Sequence, residues 1–148
     1  MSHPNPTTAT TPDPVLALSD QEFVETFENG SFPPGQFHHE DHVRLAWLYL
    51  REGSSEEALH RFVTVLRDFV TRHGAEDKYH ETITWAYLLL INERIHQGEP
   101  TSSWAEFRRA HPDLLHWSPS ILERYYRRET LESSLARKVF LMPDRLGN

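Results

Sequence analysis

Histidines supply the chemistry that this sequence advertises most clearly. His38, His39 and His42 fall together in FHHEDHVRLAW, and His80 heads a second apolar run, KYHETITWAYLLLI. Imidazole is the commonest protein ligand for zinc, copper, iron and nickel. On a helix, residues three or four apart share a face, so His42 can act with His39 or with His38. Those two neighbours point about 100° apart and cannot both join it. If the His80 run is a second helix packed alongside, three imidazoles converge on one point. Cysteine is absent, which excludes a thiolate nucleophile, a Cys-ligated zinc and an iron–sulfur cluster. Any metal must then sit on nitrogen and oxygen ligands.

Other groups lie within reach of such a centre. Tyr79 and Lys78 flank His80 and are candidates to move a proton, and Tyr87 is a further donor at a pocket rim. Arg44 lies two residues from His42, where a guanidinium can hold a substrate carboxylate bidentately. Glu40 and Asp41 read as first-turn acids that complement a helix dipole, with a carboxylate also able to orient a ligand histidine. Glu81, adjacent to His80, points elsewhere on its helix.

The elements that must position these groups are helical. Ser19 with Glu22 forms a capping box, with Leu18 and Phe23 as its hydrophobic staple, and predicts a helix from Asp20 to Asn29 stopped by Gly30. After the Pro- and Gly-containing loop SFPPGQF, a second helix is expected from Glu40 to Arg51. A third opens at Ser54 and Glu57 and ends at Gly74. The fourth, from Asp77 to Gln97, carries Tyr79, Ile83, Ala86, Tyr87, Leu90 and Ile91 on its inner side. Its β-branched residues suggest a strand, but its length decides for a helix. Beyond Gly98 and Pro100 short pieces follow: SSWAEFRRAH, DLLHW, SPSILERYYRR with Ser118 as cap and Pro119 at its first turn, and a last helix from Leu131 to Phe140. The expected fold class is all-α, an irregular bundle of about four main helices with a C-terminal wrap of short helices.

Length places the chain as one domain over residues 15–148, preceded by a Pro/Thr-rich leader, MSHPNPTTATTPDP, that cannot bury enough surface to order itself. The net charge of −7 argues against nucleic acid or an anionic membrane as partner. The longest apolar stretch, Trp85 to Ile91, is too short to span a bilayer, and no signal-peptide layout opens the chain. A cytoplasmic protein with a small-molecule substrate is expected, and a homodimer is open.

The pattern F-x-H-x-x-H-V-R-x-A (Phe37 to Ala46) with K-Y-H-x-T-I-T (Lys78 to Thr84) resembles a family of small bacterial all-α proteins, as does the ending RYYRRETLESSLARKVFLMPD, residues 124–144. The resemblance implies that His39 rather than His38 partners His42, and it implies no activity. The resulting expectation is an enzyme with one divalent transition metal, zinc, iron, copper or nickel, on His39, His42 and His80. Open coordination positions would support Lewis-acid and acid–base chemistry, namely hydrolysis, elimination or isomerisation, on a small polar or anionic organic molecule. Iron or copper with dioxygen makes an oxygenase the variant on the same site. A non-catalytic helical module that binds a ligand or a partner is the alternative of another class.

Overall fold

Seven α-helices and several 3-10 turns make up the computed structural model, which describes residues 18–145 and has no strand among them. The leader expected at residues 1–14 lies outside that range. Helix α1 (Asp20–Glu28) begins with the Ser19–Glu22 capping box, and its chain turns at Gly30, whose φ of 79° suits glycine. Helix α2 (His39–Glu52) follows a 3-10 turn at Pro34–Gln36. Helix α3 (Ser55–Arg72) opens with the Ser54–Glu57 box, and α4 (Glu81–Gln97) is the central element. It packs on α2, α3 and α7.

Burial explains the arrangement. Helix α2 buries an almost continuous run from Val43 to Tyr49, and α4 buries residues on most of its circumference, from Thr82 to Ile91. Such helices need cover on several sides, and α1, α3 and the C-terminal segment provide it. Phe23, Phe27, Phe32, Phe37 and Phe69 interlock between α1, the following loop and α3, with the Phe27 and Phe32 rings stacked at 4.2 Å. No helix among the described residues is long and apolar enough to cross a membrane.

Three element boundaries differ from the sequence expectation, each for a local reason. Helix α4 starts at Glu81 rather than Asp77, because Glu76–Lys78 form a 3-10 turn and His80 is extended (φ −134°, ψ 109°) as its N-cap. Its ring accepts the Ile83 N–H at 3.1 Å, a role usually filled by Ser, Thr, Asp or Asn. The segment after Trp117 is not an α-helix capped by Ser118. The Ser118–Pro119 peptide is cis, Ser120 caps instead, and only a 3-10 turn at Ile121–Arg124 follows. The final helix is divided into α6 (Arg128–Leu131) and α7 (Ser134–Lys138), since Ser133 accepts the Ala136 N–H and restarts the helix. Between α4 and these lie α5 (Trp104–Ala110) and a 3-10 turn at Pro112–Leu114.

Candidate functional site

A cavity of about 420 Å³ opens where the N-terminal ends of α2 and α4 meet α3 and the C-terminal segment. His39, His42, His80, Lys78 and Tyr79 all line it, so five of the six residues singled out by the sequence share one concavity. Phe37, Phe62, Leu66 and Ile83 make much of its wall apolar, and Trp117, 53 % exposed, stands at its edge.

The α2 wall carries two usable imidazoles. His39 is the first residue of α2 and His42 follows one turn later, with ring centroids 6.4 Å apart. Each ring is held by aromatic neighbours: His42 stacks on Phe37 at 4.1 Å, and His39 lies edge-on to Tyr87 at 4.7 Å and beside Trp117 at 5.1 Å. Nε2 of His39 is 2.9 Å from the Leu114 carbonyl. A carbonyl only accepts, so Nε2 carries the proton and Nδ1 keeps its lone pair. His42 is packed against Phe37, and the His38 carbonyl near its ring opposes the effect of burial on its pKa. Burial lowers the pKa of His39, against a smaller opposing effect of its Leu114 bond. Burial, helped by the neighbouring His39, takes that of His42 down to about 3. Both rings are therefore neutral at physiological pH. His38 is the N-cap of α2, exposed, and its backbone N–H is bonded by Asp41, so it stands apart from the cavity.

The α4 wall is different. Nδ1 of His80 accepts from Ile83, and Nε2 donates to the Leu131 carbonyl at 2.7 Å. Both ring nitrogens are spent on backbone, and burial, with Arg137 nearby, lowers its pKa. His80 joins α4 to the C-terminal segment and has no lone pair to give a metal. Among the described residues, no group of three or more His, Cys, Asp or Glu is placed to hold a metal ion. The expected three-histidine centre thus does not fit the geometry: one His80 nitrogen is taken by the start of α4 and the other by the Leu131 carbonyl.

The remaining expected groups divide in the same way. The Tyr79 hydroxyl donates to Glu81 at 2.7 Å, and burial followed by that carboxylate raises its pKa, so its proton is held rather than offered. Glu81 also takes Arg67 at 2.9 Å. Arg44 faces away from the cavity. Its Nη2 reaches Asp20 at 2.9 Å and the Leu18 carbonyl at 3.1 Å, and its guanidinium lies 4.2 Å from the Phe23 ring centroid, so it fastens α1 to α2. Two positions apart on a helix is about 200° of rotation, which is why His42 and Arg44 serve opposite faces. Lys78 is exposed at the cavity edge.

No family model, curated protein or solved structure matches this chain. The resemblance carried by the two histidine motifs therefore stays a likeness of pattern, and the site has to be read from its own geometry.

Two lining residues escaped the sequence. Trp117 comes from a turn with no periodicity, and Arg137 from α7, whose Nη1 donates to the Asp77 carbonyl at 2.8 Å. Only the fold brings them to His39 and His80, and no spacing along the chain signals it. Tyr87, noted as a rim donor, lines the cavity, with its hydroxyl 2.6 Å from the Ser120 hydroxyl and its pKa pushed up to about 12, chiefly by burial.

Proposed function

We propose that this chain binds a small organic molecule in the cavity, with His39 and His42 as its polar contacts. The observation that supports this reading is the state of the two rings. His39 gives its Nε2 proton to the Leu114 carbonyl and keeps Nδ1 as an acceptor, and the buried, neutral His42 adds a second imidazole to an otherwise largely apolar concavity. A concave, mainly apolar site of a few hundred cubic ångströms with a few fixed polar groups is the usual form of a small-molecule site.

Acid–base catalysis is the second reading, favoured by the fixed tautomer of His39. An imidazole whose Nε2–H is anchored can take a proton on Nδ1 and return it, which suits an isomerisation that needs no co-reactant. Its lowered pKa makes it always available and a weaker base than free imidazole, so hydrogen-bond acceptance is the stronger part of the proposal.

The test is ligand binding followed through the histidine C–H resonances and tryptophan fluorescence, on the native protein and on His39→Leu and His42→Leu. Both variants are expected to keep their helical circular dichroism and to lose at least tenfold in affinity. Binding that survives both replacements would place the ligand elsewhere. Elemental analysis of protein purified without chelator bears on the metal-dependent enzyme: a stoichiometric transition metal, lost in both variants, would restore it with His39 and His42 as its ligands.

A further inference from the structure

The cavity has a charge pattern unlike that of the chain as a whole. The protein carries a formal net charge of −7, yet no aspartate or glutamate lines this concavity. Its charged lining consists of Lys78 and Arg137, both exposed at its edge. Among the described residues neither forms an ion pair, whereas Arg44, Arg61, Arg67, Arg94 and Arg108 each hold a carboxylate within 3 Å. The Asp77 carbonyl fixes the Arg137 guanidinium without neutralising it. Two unpaired cations thus stand beside neutral imidazoles.

The rest of the lining is flat and aromatic. Phe37, Phe62, Tyr87 and Trp117 contribute rings, with His42 stacked on Phe37. Trp117 keeps half its surface open, beside His39 at 5.1 Å, so part of its indole can lie against a ligand. Ring-on-ring contact favours a planar apolar body, and a fixed guanidinium with an ammonium beside it favours a carboxylate or comparable anion.

We infer that the ligand of this cavity is an aromatic carboxylate, its ring system packed among Phe37, Phe62 and Trp117 and its anionic end held by Lys78 and Arg137. This rests on the binding reading above and adds the ligand class. The His39 acceptor nitrogen then meets a hydroxyl or N–H on the same ring system.

Three isosteric probes separate the two levels: 2-naphthoate, 2-naphthylmethanol and 2-naphthylmethylammonium, titrated into the native protein and into the Lys78→Gln, Arg137→Gln double variant. Occupancy of the cavity is read from the His39 and His42 ring resonances. We expect naphthoate to bind at least tenfold more tightly than the alcohol, and the ammonium most weakly. In the double variant naphthoate falls to the affinity of the alcohol, which itself is unchanged. If the alcohol binds as well as the carboxylate, or the double variant keeps the preference, the anion inference is wrong and the binding reading stands. If no probe shifts the ring resonances, both fail together. Arg137→Lys, which keeps the charge, should retain most of the preference and controls for a folding defect in the double variant.

Discussion

Residues 20–97 and residues 98–145 are held together by different physics. The first region is four helices whose apolar faces close on one another, with α2 and α4 buried on most sides. The second contains α5, α6 and α7 of 7, 4 and 5 residues, lengths at which an isolated helix does not persist in water. It stays in place through directional bonds as well as packing. The Thr82 hydroxyl donates to the Val139 carbonyl and accepts the Leu141 N–H, the Tyr126 hydroxyl donates to the Leu141 carbonyl, and His80 donates to the Leu131 carbonyl. Apolar burial tolerates many substitutions of similar volume, whereas a bond between a named hydroxyl and a named carbonyl tolerates few. The cavity lies on the seam between these two regimes.

That contrast can be broken experimentally. The largest effect is expected in the frame: Leu88, fully buried on α4, should cost about 2–5 kcal/mol when replaced by alanine, by lost transfer energy and the cavity left behind. Urea unfolding should remain a single transition, with the loss shared by both regions. Retention of a folded C-terminal segment after the frame has melted would show that segment to be independent.

Acid gives the next largest effect, at the seam. The folded pKa of His42 is about 3, below its ordinary value of 6.5, and those of His39 and His80 are lowered as well. Above pH 6.5 both folded and unfolded chains leave these rings neutral. As pH falls from 6.5 toward 3 the unfolded chain takes up protons that the folded one refuses, so stability declines through that window, by on the order of 3 kcal/mol at pH 4 from His42 alone. Thermal melting of the native protein and of His42→Gln over this range checks it. The variant should show a shallower decline, and identical slopes would remove His42 from the account.

The smallest effect sharpens the comparison most. Thr82→Val keeps shape and removes the hydroxyl shared by Val139 and Leu141, at a cost of about 1–2 kcal/mol. Amide exchange should accelerate at residues 139–141 and stay unchanged in the middle of α2 and α3. Equal acceleration throughout would mean that the two regions open as one unit.

The same division decides what was legible in the sequence. Ser19 with Glu22 and Ser54 with Glu57 form the capping boxes expected of them, and Gly30 and Gly74 have positive φ at the ends of their helices. These are local signals, complete within a few residues. That His42 shares a face with His39 or His38 is equally local, one turn of one helix, but spacing alone leaves the choice between them open, and it is the position of His39 on the cavity wall that distinguishes the two. Capping by a histidine ring looks, along the chain, the same as a histidine free to bind something, so the sequence around His80 does not distinguish the two roles. Arg44 is close to His42 in number but not in space, because two residues of helix turn a side chain to the far face. Trp117 and Arg137 reach the cavity through the path of the C-terminal segment, which no periodicity encodes.

The carbonyl partners of the two bridging histidines have a consequence for the order of folding. His39 bonds a carbonyl 75 residues away and His80 one 51 residues away. Loops of that length close slowly compared with the helix turns and neighbouring hairpins of the frame. A refolding chain should therefore pass through a stage in which α2 and α4 are already docked while the two long-range ring-to-carbonyl bonds are still unmade. The His39 tautomer would be set only when Leu114 arrives, so competence to bind would lag behind helix content in time.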